Sequence, residues 1–592
     1  MRQRYYCYCL MIFAALLPAF AHAQGSNLPL GNEAYPLLDR LEILSGVPAP
    51  FHSSLKEYKR GDVARYALML DTTQVQWRKG EREQLQYLFN DNNEWLGAPE
   101  FAKELGNFRK NGGEAPLSQI EMSLAHPQYV QSRKPILKYF YRTPANFYEV
   151  NNPHFHFRLN PLLNLQGAYS ADEDEPVFYN LRGLEARGGV DDRIFFYLNI
   201  METQARFPDY VNDRILRDKA IPGAGYYKPY TSDIFKIKQG YDFLNAQGYL
   251  GFNITPHVGA QFGYGRQFIG NGYRSVLLSD FANNRLYFKL NWKVWKFHYQ
   301  NLFTELAVQS SQETGDGRVV PKKYMAAHHL SFDVTPNLNI GLFEAVVFSR
   351  NNQFELQYLN PFILYRTIEQ GLGSPDNVLI GLDGKWNFLK RFQLYGQLML
   401  DEFVFKELFI EKRGWWANKY AIQAGGKYIN AFGARGLDLQ VEYNTARPYI
   451  YAHRDSSASY THYNQPLAHP LGANFREFIF IARYQIAKRW SLEVRSIRAE
   501  TADDGNAENW GSNLLLPDVT RQQEFGNEIG QGIGAVLELQ GLELTYQPAH
   551  NVFLELTYFN RNKNSEDDTL DKTTSYIGLG LRVNVGKVRW DF

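Results

Sequence analysis

The sequence has little cysteine, no long apolar run and no excess of charge of either sign. Its 592 residues include two cysteines, Cys7 and Cys9, both close to the N-terminus. The rest of the chain therefore cannot form disulfides, cysteine–zinc sites or thiol-based catalytic centres. Beyond the N-terminal segment no run of 18 apolar residues occurs, which excludes a helical membrane protein. A balance of 63 Lys+Arg against 62 Asp+Glu offers no field to hold nucleic acid.

Residues 1–23 have the pattern of a secretory signal peptide. Arg2 and Arg4 supply a positive start, residues 10–20 supply a short apolar core, and Ala21-His22-Ala23 matches an A-x-A cleavage site. We therefore expect export of the chain and cleavage after Ala23. The mature protein would then contain no cysteine.

What the sequence has in quantity is aromatic side chains, with 39 Tyr, 41 Phe and 10 Trp beside 47 Gly. Its mean hydropathy is nevertheless −0.41. Many rings and glycines in a chain that is hydrophilic on average are typical of numerous β-strands with one apolar face. The composition thus indicates a β-rich protein and argues against wholesale disorder.

The first part of the mature chain, residues 24–152, has a helical pattern. Tyr35, Leu38 and Leu41 recur at helical spacing, and Gly46 stands where a C-terminal cap is expected. We interpret this part as a small helical domain.

After His154 the apolar period changes from helical spacing to strict alternation. Ile380, Leu382 and Trp386 alternate with polar residues, and the same pattern recurs down the chain. In one run the apolar parity changes at Gly541, which predicts a β-bulge there. Eighteen such runs occur: 154–168, 176–186, 193–207, 245–254, 258–267, 284–292, 296–306, 324–334, 338–350, 378–388, 392–405, 418–429, 434–446, 475–486, 490–502, 532–546, 551–562 and 573–592.

The links between these runs alternate between short and long. An even strand number, short turns at one end and long loops at the other are the features of bacterial outer-membrane barrels. We predict an all-β transmembrane barrel of about 18 antiparallel strands over residues 153–592, with long extracellular loops. The helical domain would lie at the periplasmic end. The chain ends with Val588, Trp590 and Phe592 on one face, which resembles the C-terminal signal of outer-membrane barrels.

The predicted lumen is polar, because inward positions carry Asp383, Asp401, Asp438 and Glu442. These carboxylates either solvate the interior or pair with inward cations. No G-x-S-x-G or H-E-x-x-H motif occurs, and the His154/His156 pair has no third ligand nearby. We predict no enzymatic activity, no cofactor and no metal site.

Three loops carry further signals. The segment 265–274 combines glycines with Arg266, Arg274 and Tyr273, although its glycines could simply make a turn. In the link 351–377 a short helix from Phe362 to Gln370 is expected to fold inward and narrow the pore. The link 447–474 contains Tyr449 and Tyr451 beside planar polar side chains, a combination that suits stacking on sugars but is also common in external loops.

Four strings give the sequence a family resemblance: YPLLDRL from residue 35, GRQFIGNGYRSVLLSD at 265–280, LNPFILYRTIEQGLGSPDN at 359–377 and LYGQLMLDEF at 394–403. With them the chain resembles the capsule-assembly Wzi family, in its longer Bacteroidetes branch that includes the gliding-motility protein RemB. The resemblance implies an eighteen-stranded outer-membrane barrel with a periplasmic helical bundle. It also implies a lectin-like protein that binds exported polysaccharide and organises it as capsule.

The polar members of the matched strings and the rings of the loops form the predicted ligand-binding set. They are Arg266, Asn271, Tyr273, Arg274, Asp376, Asn377, Asp401, Glu402, Tyr449 and Tyr451. The expected partners are outer-membrane lipid, surface or capsular polysaccharide and, as a further option, other cell-surface machinery, without nucleic acid. A passive diffusion porin and an accessory of a gliding or secretion machine remain as alternative functions.

Overall fold

The computed structural model describes residues 25–592, except 73–74, 76, 96–131, 133, 153, 172–174, 192, 234–236, 316, 374–375 and 506–507. The predicted signal peptide, with its cleavage site, lies outside the described residues. Six α-helices are present in the described part of the chain: α1 Ala34–Ser45, α2 Arg60–Thr72, α3 Lys79–Asp91, α4 Asp209–Asp218, α5 Ser311–Thr314 and α6 Tyr365–Gly371. No helix in these ranges is long and apolar enough to cross a membrane.

The helices α1, α2 and α3 share one apolar core. Leu38 and Leu41 of α1 pack with Val63 of α2 and Leu88 of α3, all buried. Gly46 ends α1 in the left-handed conformation, at φ 69°, which a glycine adopts without steric cost. The predicted spacing and cap of the first helix are therefore confirmed.

The described residues also form twenty-two strands: β1 Tyr148–Asn152, β2 Phe155–Ser170, β3 Val177–Val190, β4 Ile194–Arg206, β5 Lys228–Ser232, β6 Ile237–Asn253, β7 Val258–Gly265, β8 Arg285–Val294, β9 Phe297–Ala307, β10 Lys322–Thr335, β11 Leu338–Phe348, β12 Asn377–Phe388, β13 Phe392–Leu400, β14 Tyr420–Tyr428, β15 Leu437–Ala446, β16 Thr461–His462, β17 Gln465–Pro466, β18 Phe475–Ala487, β19 Trp490–Asp503, β20 Ile533–Ala549, β21 Val552–Ser565 and β22 Lys572–Val583.

Eighteen of these strands form a closed antiparallel barrel. Each long strand pairs with the next one, and β22 pairs with β2 through Leu163↔Val583 to Ser170↔Tyr576. The short strands β1 and β5 each pair with one end of a barrel strand, β1 with β2 and β5 with β6, while β16 and β17 form a hairpin in a loop. Closure leaves no free sheet edge, as a membrane-spanning sheet requires. The predicted fold class and strand number are confirmed.

The two faces of the wall alternate as the sequence predicts. On β12 the outward Ile380 and Leu382 are 49% and 43% exposed, whereas the inward Asp383 and Lys385 of the same strand are buried in the lumen. An apolar outer face and a polar inner face are the pattern of a barrel in lipid.

The predicted bulge at Gly541 is wrong. The ladder between β19 and β20 runs without a shift through Leu539↔Ile497, Gly541↔Arg495 and Leu542↔Val494. The apolar parity changes because Leu539 faces the lumen, where it packs in a buried cluster with Ile479, Ile481 and Ile497. The interior at that level is apolar, so no backbone slip is needed.

The prediction that the last strand covers residues 573–592 is also wrong at its C-terminal end. Strand β22 ends at Val583 rather than at Phe592. The last residues leave the wall and enter the lumen, where Phe592 is buried beside Phe207 and Tyr210. The tail buries alternate apolar side chains, including Trp590, against lumenal residues. Its sequence therefore shows the same alternation as a strand.

The short helix predicted in the link 351–377 exists as α6, but it does not fold inward. It packs on the outer face of the wall, where Tyr365 joins Tyr324, Val346 and Phe348 in one buried cluster. These strand residues share the face of the exposed Leu342. The prediction that this helix folds into the pore is wrong, because the apolar side of the segment packs against apolar side chains on the outer face of the wall.

Candidate functional site

The helical domain closes the short-turn end of the lumen through buried ion pairs. Lys385 of β12 donates to both carboxylate oxygens of Glu42 at 2.9 and 2.8 Å. Lys427 of β14 donates to Asp39 at 2.7 Å. Burial alone would raise the pKa of Asp39, but the Lys427 ammonium outweighs it and lowers the pKa to about 2. The charges on helix α1 are thus matched to inward charges of the wall.

The C-terminal tail fills a second part of the lumen. Tyr210 of α4 donates to the carbonyl of Trp590 at 2.5 Å, and Arg561 donates to the carbonyl of Phe592 at 3.1 Å. The Trp590 ring meets Phe207 edge-on at 5.0 Å. The tail is therefore held by the wall and by helix α4, which lies in the first long link.

The loop between β7 and β8 is anchored to this tail. Arg274 donates to Asp591 at 3.0 Å and to Glu477 at 3.2 Å, and the Tyr273 hydroxyl also bonds Asp591. Burial alone would raise the pKa of the Asp591 carboxyl, but Arg274 and Arg495 hold it well below its usual range. Asp591 is therefore held as an anion, and its charge is balanced by arginines inside the protein.

A cavity of about 740 Å³ remains between the helical domain, the tail and the wall. Its lining reaches from the short-turn end, at Gly436 and Lys488, to the long links, at Gly223 and Pro470. The rings that line it include Tyr35, Tyr179, Tyr197, Phe243, Phe281 and Trp590. Its volume lies in the range of small-ligand sites.

Four residues of the predicted ligand set line this cavity: Arg266, Asn271, Tyr273 and Arg274. Arg274 and the Tyr273 hydroxyl are occupied by Asp591, as described above. Arg266 donates to the carbonyl of Asp280 at 2.9 Å, and its buried Nε has no hydrogen-bond partner in the described structure. Of the four residues, Arg266 therefore keeps the most hydrogen-bonding capacity for a ligand.

The polar and aromatic side of the cavity, which comes from β3, β4 and β6, contains residues that the sequence alone does not single out. Tyr197 donates to Glu185 at 3.2 Å, and Asn199 donates to the Tyr197 hydroxyl at 3.2 Å. The Thr203 hydroxyl is buried beside Tyr179. These residues occur in ordinary strand alternation, so only the inward parity of Tyr197, Asn199 and Thr203 could have indicated them.

The remaining predicted residues lie away from the cavity. Arg350 binds Asp376 with two bonds of 2.7 Å, and Asn377 donates to the carbonyl of Ala458 at 3.1 Å. Both predicted side chains are buried, and both join loops to the wall.

Asp401 and Glu402 lie together at the long-loop end, beside Lys419. Asp401 accepts a bond from the Tyr451 backbone at 3.1 Å, and its burial near Glu402 raises its pKa to about 7 even though Lys419 opposes the shift. The Glu402 side chain is half exposed and 3.7 Å from the Lys419 ammonium. Glu402 is thus the predicted residue most open to solvent at this end.

The expectation that Tyr449 and Tyr451 stack on sugars is wrong. Both rings are fully buried, and their hydroxyls donate to the carbonyls of Asn509 and Val276 at 2.9 and 2.7 Å. They hold the loop 447–474 against its neighbours. Tyrosine content alone could not distinguish a buried ring that closes a loop from an exposed ring that meets a ligand.

The family model described as capsule assembly protein Wzi matches residues 173–564, which is more than half of the chain. The chain belongs to the Wzi family. Among curated protein sequences, none matches the chain. Wzi membership and the barrel fold together place the protein in the outer membrane.

A solved structure supports the same fold over nearly the whole chain. Wzi of Escherichia coli, an outer-membrane protein involved in group 1 capsule assembly and a carbohydrate-binding β-barrel, superposes with a TM-score of 0.54 at 13% identity. The match covers 95% of this chain and 100% of that one. Pseudomonas aeruginosa OprD and Acinetobacter baumannii OccAB2 match 72% of the chain, at 11% and 9% identity, and cover 94% and 97% of those proteins, with TM-scores of 0.39.

Proposed function

We propose that this protein binds exported polysaccharide at the cell surface and helps to organise it as capsule. The observation that carries the proposal is the Wzi family match over residues 173–564. The fold shared with E. coli Wzi, itself a carbohydrate-binding β-barrel, supports it.

We infer that sugar contacts involve the lumenal cavity. Rings such as Tyr179 and Tyr197 can present faces or edges to sugar C–H groups, while Asn199 and Thr203 offer hydrogen bonds to hydroxyls. Arg266 adds a cation with unused hydrogen-bonding capacity, which suits the carboxylate of an acidic sugar. Glu402, at the long-loop end, is a second contact in this proposal.

The proposed activity is binding without bond cleavage. Three of the carboxylates that line the cavity, Glu185, Glu493 and Asp591, bond to Tyr197, Arg589 and Arg274. In this proposal they balance buried charges and orient the lining of the cavity.

In this proposal the short-turn end and the helical domain, residues 24–152, face the periplasm, and the long links face the medium. Export would use the signal peptide, with cleavage after Ala23. The tail and the helical domain occupy a lumen that an eighteen-stranded barrel would otherwise leave wide. This filling favours a binding protein over a passive diffusion porin.

The test is retention of the host strain's purified capsular polysaccharide by the purified barrel in detergent. We expect saturable binding of the parent protein and at least tenfold weaker binding of Arg266→Ala. The matched control is Arg498→Ala, which removes an arginine paired with Glu538 where both side chains are exposed. Absence of binding to every glycan of the host strain would overturn the proposal and favour a role as accessory to a surface motility or secretion machine.

A further inference from the structure

Three neighbouring strands carry polar side chains on the outer face of the barrel. On β9 the outward positions include Tyr299 and Asn301, on β10 His328, and on β11 Glu344. Glu344 shares its face with Leu342, whose side chain is 53% exposed. Such groups are costly on a wall that faces hydrocarbon unless the protein itself covers and satisfies them.

Residues 350–372, which we call the wall segment, supply that cover. The carbonyl of Pro361 accepts a hydrogen bond from Asn301 at 3.2 Å and another from the Tyr299 hydroxyl. The Tyr365 ring lies over His328 with ring centroids 4.0 Å apart. Tyr299 and Asn301 are thus hydrogen-bonded to this one segment, and His328 is covered by it.

Glu344 fixes the segment at the start of helix α6. Its two carboxylate oxygens accept the backbone N–H groups of Tyr365 at 2.9 Å and Arg366 at 3.0 Å. These N–H groups belong to the first turn of the helix and have no partner within it. The contact therefore satisfies polar groups on both sides.

The apolar underside of the wall segment packs on the same strands. Tyr358 and Tyr365 are fully buried with Phe348, while Phe354, Ile368 and Leu372 pack against this cluster. Asp376, just beyond the segment, accepts bonds of 2.7 Å from Arg350 at its start and from the Tyr358 hydroxyl near its middle. This packing indicates a fixed part of the wall rather than a loose external loop.

Between Leu356 and Leu364 the outer surface of the wall segment is mostly apolar, and no described residue covers these exposed side chains. Leu356, Phe362 and Leu364 are 72%, 71% and 65% exposed, and Leu359 and Ile363 are also exposed. This surface adjoins the bare wall, where Phe288 and Leu342 face outward. Phe362 also lies near the rings of Trp292 and Tyr299.

The wall segment runs along the barrel and not away from it. It starts at the long-loop end after β11, and at Pro361 it contacts Asn301. Asn301 is the fifth of eleven residues of β9 counted from the short-turn end. The segment therefore descends beyond the middle of this strand before α6 returns toward β12.

From this geometry we propose that the wall segment is embedded in the outer membrane and that its occupant is the acyl-chain region of the bilayer. The exposed side chains continue the apolar outer face of the strands beside them, and that face is already in contact with lipid in an outer-membrane barrel. Lipid is favoured over a second copy of the chain because the surface is continuous with this lipid-facing wall at the same depth. A residue string that looks like an external loop thus acts as part of the membrane-facing surface.

The test uses nitroxide labels on single cysteines in the full-length barrel reconstituted in phospholipid vesicles. The labelled sites are Phe362→Cys and Leu364→Cys. Leu342→Cys on the bare wall is the lipid reference, and Asp568→Cys in the exposed turn between β21 and β22 is the aqueous reference. The parent protein, treated in the same way, measures background labelling. Each variant must keep the gel mobility shift on heating that marks a folded barrel.

We expect labels at Phe362 and Leu364 to collide with oxygen and to be protected from a water-soluble nickel complex, as at Leu342. Collision with the nickel complex at the rate seen for Asp568 would place the segment in water and overturn the proposal. Protection from both reagents would mean that protein covers the surface, as in contact with a second copy, and would also overturn it. Two labelled sites keep the test decisive if one variant fails to fold.

Discussion

Glu344 and Tyr365 are joined by a 2.9 Å hydrogen bond on the outer face of the barrel, with the carboxylate accepting the backbone N–H at the start of helix α6. This bond links a strand to a segment that follows it by about twenty residues. It explains why an acidic residue occupies an outward position in the wall.

Removing the Glu344 carboxylate should loosen the wall segment. In Glu344→Ala the N–H groups of Tyr365 and Arg366 lose their acceptor, at a cost of about 1–3 kcal/mol for each buried group left unpaired. We expect faster proteolysis within residues 350–372 in detergent-solubilised protein. Glu344→Gln keeps one acceptor oxygen and should be cut at an intermediate rate. Equal cutting of both variants and the parent protein would contradict this role.

Removing the C-terminal tail should open the lumen. A chain that ends at Val585 lacks Trp590, Asp591 and Phe592, which contact helix α4 and the loop that contains Arg274. We expect a steady single-channel conductance in planar bilayers several times that of the parent protein. Arg498→Ala, which alters only an exposed pair, should conduct like the parent. An unchanged current in the shortened chain would show that the tail does not obstruct the lumen.

The Lys385–Glu42 pair should behave as a buried ion pair. Lys385→Met leaves the Glu42 carboxylate buried without its cation, which we expect to cost about 3–5 kcal/mol of folding free energy. The double variant Lys385→Met with Glu42→Leu should recover most of this loss, because no uncompensated charge remains. Denaturant midpoints measure both effects. Additive losses in the double variant would refute the pairing.

Asp401 should make stability fall as the pH rises. Its pKa in the folded protein is about 7, above its ordinary value of 3.8, because burial and Glu402 disfavour the anion. The stabilising contribution is therefore fully present below about pH 4 and is lost as the pH rises through 7. Asp401→Asn should flatten this part of the unfolding profile. A slope that persists in the variant would assign it to another group.

Tyr451→Phe should lower stability but not polysaccharide binding. The variant loses the hydroxyl bond to the carbonyl of Val276, worth about 1 kcal/mol, and keeps the buried ring. Denaturant unfolding and capsule retention are measured on the same preparation. Loss of capsule retention with unchanged stability would indicate that Tyr451 contacts the polysaccharide after all.

Most of the barrel could be predicted from the sequence because its period is local. Outward Ile380 and Leu382 alternate with inward Asp383 and Lys385, and the short and long links fix the pairing order. The predictions failed where the same alternation of apolar residues can arise either from a membrane strand or from packing inside the lumen. Trp590 and Phe592 alternate like a strand, yet they pack inside the lumen.

The candidate site could be predicted only in part. Arg266 and Asn271 were identified from a matched string and do line the cavity. Tyr449 was misplaced because its burial depends on contacts with residues some sixty positions away, including Asn509. The aromatic side of the cavity arises from Tyr197 and its neighbours on different strands, and only the closed barrel brings them together.

The central claim is that the protein binds capsular polysaccharide at the cell surface, and deletion of its gene tests this claim most directly. The measurement is the amount of capsule on washed cells and in the medium, with total polysaccharide determined in parallel. We expect synthesis to continue while capsule moves from the cells to the medium, and we expect the parent gene, but not Arg266→Ala, to restore attachment. Full retention of capsule on cells that lack the protein would overturn the proposed role.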